Sequence, residues 1–256
     1  MRAAFAPTND LLASRFGGLS PLSDHERGVL RLIESRAKQG HRADTHLLTE
    51  GREIRSPCFI ISGWACRFRE LSNGRRQIVS ILLPGDAIGL SYRAHALSLT
   101  HVVALSPLRT VDAPEIAVAW RERSCVPGIS AALDLAAAED EFFMLAHIVR
   151  LGRQTAYERI AHWIMELEYR LSSRGLSNNG AFPMPLTQDT LGDAVGLSVV
   201  HVNRNLQQMR REGRIELAHG RLAILDREAL STAGEFAAPM LAVSAMQATS
   251  IADARR

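Results

Sequence analysis

The stretch that most constrains this chain is residues 185–215, PLTQDTLGDAVGLSVVHVNRNLQQMRREGRI. Its spacing predicts two short helices joined by a tight turn. Thr187 supplies a capping hydroxyl, and Gln188 opens the first helix. Leu191 and Val195 lie four apart and share a face. Gly196 suits the left-handed residue that ends a helix. Ser198 offers a second cap, and residues 199–211 form the second helix. Val202, Leu206 and Met209, spaced by four and three, give that helix a buried seam. Its opposite face carries Val199, Val200, Asn203, Arg204 and Gln207. A hydrogen-bonding arginine and asparagine among small apolar groups is what a helix entering a DNA major groove needs. Beyond Gly213, residues 215–217 and 222–225 are short apolar strands around His219-Gly220, a hairpin placed as a wing.

An ordinary pair of core helices has the same spacing. Three features set this stretch apart: the tight Gly-Leu-Ser turn, the wing that follows, and an excess of basic groups. Between Gly196 and Arg221 five arginines stand against two glutamates. Double-stranded DNA is therefore the expected partner. A net charge of +3 and a pI near 9.0 permit a polyanionic partner without demanding one. Lys38 is the only lysine. Arginine's planar fork suits phosphate and guanine edges, although a genome rich in G and C would also favour arginine.

At 256 residues, 46% hydrophobic and 22% charged, the chain is long and apolar enough for two domains with their own cores. No apolar run reaches the length of a membrane span, and the N-terminus lacks a signal-peptide core, so the expected location is the cytoplasm. Cys58, Cys66 and Cys125 form no CxxC pair, so neither a zinc site nor an iron–sulfur cluster is signalled. Cys58 and Cys66 flank Ser62-Gly63 one residue out of register. In a hairpin they would sit on opposite faces, which argues against a disulfide.

Taken in order, residues 1–14 read as a frayed arm. Residues 19–40 read as a helix opened by Ser23-Asp24-His25-Glu26, a cap followed by an acidic first turn. From His46 to about Ala113 short apolar runs alternate with turns. Asn73-Gly74 marks a hairpin, and Gly51, Gly63, Gly74 and Gly85 recur every eleven or twelve residues, the punctuation of an all-β roll or barrel. Residues 120–152 read as a helix with Pro127 in a first turn. Ile129, Leu133, Ala136, Asp140, Phe143, His147 and Arg150 follow a four–three rhythm that Ala132, Leu135, Phe142, Ala146 and Val149 widen. One face would pack on the roll and the other on a second copy; a plain buried helix in a monomer is the alternative. Residues 155–173 form another helix, with Ile160, Ile164, Leu167 and Leu171 as its seam. A loop, SSRGLSNNGAFP, leads into the two-helix stretch. From Ala233 the alanine-rich tail reads as weakly helical or disordered.

TEGREIRSPCFIISGWACRFRELSNGRRQIVSILLPGDAIGL resembles the sensor β-roll of the Crp/Fnr superfamily of bacterial transcription regulators; its SGW turn, NGRRQ hairpin and LLPGD carry the likeness. With the long helix and the two-helix stretch behind it, the resemblance covers roughly residues 19–228. It implies an α+β fold: an N-terminal jelly roll of the cyclic-nucleotide-binding type, a long dimerisation helix and a C-terminal winged helix-turn-helix. The expected division is an arm at 1–18, a sensor roll at 19–120, the dimerisation helix at 121–152, the winged helix at 153–232 and a tail at 233–256. The resemblance also implies a homodimer on a pseudo-palindromic operator, with RNA polymerase as a second partner. Arg204 sits where relatives place a base-reading arginine. Val199, Val200, His201 and Asn203 are expected to support it, with a thymine methyl under one valine. Thr187, Ser198, Arg210, Arg211 and Arg221 are expected on phosphate, where they position without specifying.

In cyclic-nucleotide-binding relatives the roll carries a glycine, a ribose-binding Glu and an Arg-Ser or Arg-Thr pair for the phosphate. Here Gly85 and Gly89 remain, but Leu90-Ser91 follow Gly89 and Leu99 precedes Thr100. Arg93 is nearby but not in the matching place. A buried cyclic phosphate would lack its charge partner. The expectation is no tight cyclic-AMP binding, with Gly85, Gly89, Arg93 and Thr100 as candidates to line a pocket for an unknown small-molecule effector. The N-terminal cysteine cluster of the oxygen-sensing branch is absent, so no iron–sulfur cluster is expected. His95 and His101 read as surface or structural residues rather than haem or metal ligands, and Asp86 as a turn residue. Arg75-Arg76 read as a solvated hairpin tip or a polymerase contact. No G-x-S-x-G, P-loop or H-E-x-x-H motif is present, so no catalytic residue is nominated. Two other readings stay open: a ligand-independent DNA binder, and a cyclic-nucleotide-binding-type module acting on a protein partner.

Overall fold

The computed structural model describes residues 10–91, 93, 95–122 and 126–240. Two helices, α1 (Leu11–Gly17) and α2 (Asp24–Ser35), precede eight strands. These are β1 (Gln39–His41), β2 (His46–Leu48), β3 (Cys58–Ser62), β4 (Ala65–Glu70), β5 (Arg76–Leu82), β6 (Ala87–Ile88), β7 (His101–Ala104) and β8 (Leu108–Asp112). Then come α3 (Pro114–Glu122), α4 (Pro127–Arg153), α5 (Ala156–Ser172), β9 (Ala181–Pro183), α6 (Gln188–Val195), α7 (Val199–Arg211), β10 (Ile215–Ala218), β11 (Arg221–Ile224) and α8 (Arg227–Gly234).

The eight strands form two antiparallel sheets, ordered β1-β8-β3-β6 and β2-β7-β4-β5. Ile60, Ala65, Leu82, Ile88, Val102 and Leu108 fill the space between them, the interior of a jelly roll. Asn73-Gly74 turns β4 into β5, with Glu70 opposite Arg76. Ser62-Gly63 does something else. Strands β3 and β4 lie in different sheets, so this is a corner of the roll and not a hairpin. Gly63 has a φ of 83°, and a Cβ there would lie 2.2 Å from the Pro107 carbonyl oxygen, so only glycine fits. Cys58 and Cys66 are therefore separated by sheet rather than by the face of one hairpin, and both are free thiols. Burial pushes them up to about 11 and about 12 respectively. Cys125 lies outside the described residues.

The outer face of the β1-β8-β3-β6 sheet (Phe59, Ile61, Val111) is covered by Leu12 and Phe16 of α1, Leu30 and Ile33 of α2, and Ile129 and Leu133 of α4. The N-terminal segment corrects the sequence reading: residues 11–17 are a buried helix, not part of an arm, and residues 1–9 lie outside the described residues. Helix α1 has no side-chain cap of its own. Instead the Glu34 carboxylate, from α2, accepts from the backbone N–H groups of Leu11 at 3.2 Å and Leu12 at 3.1 Å. Helix α2 is shorter than expected at both ends, and the roll begins already at Gln39. Its capping box of Ser23 and Glu26 is present. Glu26 also caps α4, accepting from Gly128 N at 2.6 Å and Ile129 N at 3.0 Å. Burial raises its pKa, but these bonds from Ser23, Ile129 and Gly128 outweigh burial and hold it below the usual carboxylate value.

The outer face of the second sheet (Trp64, Cys66, Phe68, Ile78, Val103) runs without a break into the core of the C-terminal domain, through Ile160, Trp163, Ile164 and Leu167 of α5 and Leu191 of α6. Buried ions tie the two together. Asp86, in the turn after β5, accepts from Arg174 Nη2 at 2.7 Å, from Arg170 Nη2 at 3.0 Å and from Leu83 N at 2.8 Å. Arg170 continues to Glu166, which pairs with Arg150 of α4 at 2.8 Å. Arg15 of α1 pairs with Glu139 of α4. Asp86, read from sequence as a turn residue, is thus also the roll's anchor for α5. The 172–183 loop contains β9, which pairs with β11 as a third wing strand, and Arg174, which is buried. The beginning of the tail is packed, with the Phe236 ring 5.4 Å from His162 and 6.1 Å from Tyr169; residues 241–256 lie outside the described residues.

Candidate nucleic-acid interface

Helices α6 and α7 form where the caps predict. Thr187 Oγ1 accepts from Thr190 N at 3.1 Å, and Ser198 Oγ accepts from His201 N at 3.4 Å. Gly196 closes α6 in the left-handed conformation, φ 67°. A residue the sequence reading passed over holds the helices close. A Cβ on Gly192 would lie 2.6 Å from the Leu197 carbonyl oxygen, so only a glycine lets the turn fold back on α6. Val202, Leu206 and Met209 bury one face of α7, joined by Asn205, whose amide donates to the His201 carbonyl at 2.8 Å.

The outer face of α7 presents Val199, Val200, His201, Asn203 and Arg204 together. Val200 is 67% exposed and the neighbouring Val199 39%, so both valines present methyl groups to solvent. His201 Nδ1 bonds Ser198 Oγ at 2.9 Å, and Asn203 Nδ2 donates to Gln188 Oε1 at 3.1 Å. Among the described residues no ion pair joins Glu212 to Arg204. Glu212 accepts from Tyr157 Oη at 2.6 Å and from Gln208 at 2.8 Å, and these bonds hold its pKa down. Among the described residues no ion pair engages Arg204, Arg210, Arg211 or Arg221, and all four are exposed. Thr187 and Ser198 sit at the N-termini of α6 and α7, where backbone N–H groups favour an anion. Arg221 stands on the wing strand β11.

The roll's pocket is less as expected. A cavity of about 170 Å³ lies between the roll, α1 and α4, lined among others by Arg15, Phe16, Arg67, Leu82, Leu133 and Asp140. Gly85 lines it too; Gly89, Arg93 and Thr100 do not. Gly89 instead packs against Ile54, and Arg93 is exposed. Two of the lining residues, Arg67 and Asp140, form a two-pronged pair, one bond at 2.9 Å. His95 bonds Glu53 at 2.7 Å, and His101 stacks on Phe68 at 5.1 Å. Among the described residues no group of three or more His, Cys, Asp or Glu could hold a metal ion. Arg76 is no solvated tip. It pairs with Asp193 of α6 at 2.6 Å, and the neighbouring Gln77 donates to the carbonyls of Asp193 at 2.8 Å and Ala194 at 3.2 Å. That link joins residues more than a hundred positions apart, and no local pattern signals it.

Two family models match, in the order the fold requires: the cyclic nucleotide-binding domain over residues 39–116 and the Crp-like helix-turn-helix domain over residues 158–233. The chain belongs to the Crp/Fnr superfamily. It is a Crp/Fnr-like DNA-binding transcription regulator. The nitrogen fixation regulation protein FixK of Bradyrhizobium diazoefficiens is 27% identical over 209 residues, covering 80% of this chain and 85% of that one. The transcriptional activator protein FnrA of Stutzerimonas stutzeri is 28% identical, covering 80% and 83%. The fumarate and nitrate reduction regulatory protein of Escherichia coli is 25% identical, covering 82% and 83%. Among solved structures, FixK2 from Bradyrhizobium japonicum superposes with a TM-score of 0.67 at 24% identity, covering 79% of this chain and 98% of that one. The superfamily is one of transcription regulators and not of enzymes. No described helix is long and apolar enough to cross a membrane.

Proposed function

We propose that this Crp/Fnr regulator acts as a homodimer that reads a pseudo-palindromic operator through the outer face of α7, without cyclic AMP. The observation that carries the reading is Arg204: exposed, unpaired, and flanked by two exposed valines and an asparagine on one helix face. Arg204 would reach a base edge, Val199 or Val200 would pack on a thymine methyl, and Arg210, Arg211, Arg221, Thr187 and Ser198 would hold phosphate.

Support for the dimer comes from α4. Its 27 residues span about 40 Å. Leu135, Ala138, Phe142, Leu145 and Val149 follow a three–four spacing on the side turned away from the roll, with Leu145 and Val149 each 57% exposed. A second copy of the same stripe covers it by two-fold symmetry. Two reading heads then address half-sites with centres about 10 base pairs apart, or a multiple. Exposed Arg75 at the β4–β5 turn is our candidate contact for RNA polymerase.

Freedom from cyclic AMP is supported by Leu90 and Leu99 in place of the ribose and phosphate partners. An effector, if this protein has one, is a small molecule.

The test is a pair of substitutions. Arg204→Ala should cost about 1–3 kcal/mol per half-site and relax preference at one base position, whereas Arg211→Ala should weaken all sequences alike and flatten the salt slope by about one unit. Equal loss on specific and random DNA for Arg204→Ala would leave that residue only a phosphate role.

A further inference from the structure

We infer that Gln188, outside the recognition helix, sets base specificity by orienting the Asn203 amide for adenine. The inference rests on the reading of α7 as the base-reading helix, and adds a residue and a base to it.

Asn203 stands on the exposed face of α7 beside Arg204, and its Nδ2 donates to Gln188 Oε1 at 3.1 Å. A primary amide has two N–H donors and one carbonyl acceptor. The bond to Gln188 commits one N–H and leaves the other N–H and Oδ1 of this exposed side chain without a partner among the described residues. That pair, one donor next to one acceptor, is the complement of the adenine major-groove edge, where N7 accepts and the N6 amino group donates. No other base edge presents an acceptor beside a donor within one base: guanine shows two acceptors, cytosine one donor, thymine one acceptor and a methyl.

Orientation is the difficulty for a lone asparagine. Its amide rotates freely, and turned over it would aim Oδ1 at the N7 lone pair. Gln188 restricts that freedom because its backbone is held in place. It is the first residue of α6, directly after the Thr187 cap, and α6 is held against the turn into α7 at the Gly192–Leu197 contact. Gln188 is also half-buried, so fewer of its rotamers are open than for a solvated side chain. Its Nε2 stays free at the N-terminus of α6, on the side where phosphate is expected. Gln188 is thus a positioning residue, acting on the base through Asn203.

The experiment is binding-site selection from a randomised duplex library with the full chain and four variants, each checked for intact fold by circular dichroism. The parent should select adenine at one position per half-site. Asn203→Ala should erase that preference by about tenfold or more, and leave the base under Arg204 unchanged. Gln188→Leu should erase the same preference and no other. Gln188→Glu should keep it, because a carboxylate still accepts from Asn203 Nδ2, while lowering affinity for all sequences by placing negative charge near phosphate. Adenine preference that survives Gln188→Leu but not Asn203→Ala overturns the positioning role. If Asn203→Ala changes nothing while Arg204→Ala relaxes its own position, Asn203 does not read bases and the inference fails with the function intact. If neither variant alters any position, the reading of α7 itself is wrong.

Discussion

Replacing Asp86 with alanine should destabilise the whole protein, not only the roll. The carboxylate accepts three hydrogen bonds, two from the guanidiniums of Arg170 and Arg174 on the far side of the domain boundary. Breaking a buried ion pair by removing one partner costs about 3–5 kcal/mol, because the surviving charge is stranded. Here part of that loss is recovered. Arg170 still donates to the Ile81 carbonyl at 2.8 Å and pairs with Glu166 at 3.4 Å, and Arg174 still donates to the Pro84 carbonyl at 2.9 Å. The expected cost therefore lies at the low end, about 3 kcal/mol. Burial pushes the Asp86 carboxyl up, but the Arg174 and Arg170 charges overcome it and hold the group well below the usual carboxylate range. A depressed folded pKa contributes stability that is complete above the unfolded value near about 4 and is lost as pH falls below it. The gap between parent and variant should thus be constant from pH 5 to 8 and close only in stronger acid. Urea unfolding at fixed protomer concentration, followed by tryptophan fluorescence and circular dichroism, measures it. Trp64 of the roll and Trp163 of α5 share one core, so both report the coupling. With a slope near about 3 kcal/mol/M the midpoint should fall by about 1 M. A change under about 0.5 kcal/mol, or loss of the roll signal with the α5 signal unmoved, would refute the anchoring role.

Two further outcomes follow from α4. Burial first, and then the Arg150 cation, pull His147 down to about 4; the folded protein therefore binds fewer protons than the unfolded chain between about pH 4 and 6.5, and stability present above that window should fall by up to about 3 kcal/mol on crossing it. His162, lowered by burial and Arg150, adds to the slope, so His147→Gln should make stability against pH shallower without flattening it. Val149→Asp, which places a charge in the exposed stripe, should give a monomer in light scattering and weaken operator binding; an intact dimer would place the interface elsewhere.

The legible parts of this chain are those whose physics is local. Caps at Thr187 and Ser198, the left-handed Gly196 and the four–three seam of α7 each act within a few residues, and they place the reading head to the residue. Ser62-Gly63 shows the limit: a hairpin and a corner between sheets need the same flexible residue, and only the long-range contact of Gly63 with Pro107 separates them. Helix α1 was hidden because its cap comes from Glu34, over twenty residues away. The ion set of Asp86, Arg170 and Arg174 and the Arg76–Asp193 pair join positions that only the finished fold brings together. Gln188 was visible as a helix-opening residue, but its bond to Asn203 depends on how two helices cross.

The shared core of roll and reading head has a bearing on how the chain is made. While the ribosome has delivered only the roll, the outer face carrying Trp64, Phe68, Ile78 and Val103 has nothing to cover it, because its partners lie in residues 160 and beyond. Contacts of such sequence separation form late, and a bare apolar sheet face is prone to stick to its neighbours in the meantime. A chain cut short before α5 is therefore a substrate for chaperones and proteases rather than a half-functional regulator. Ribosomes that stop early would yield no free sensor domains able to pair with complete chains and poison their dimers.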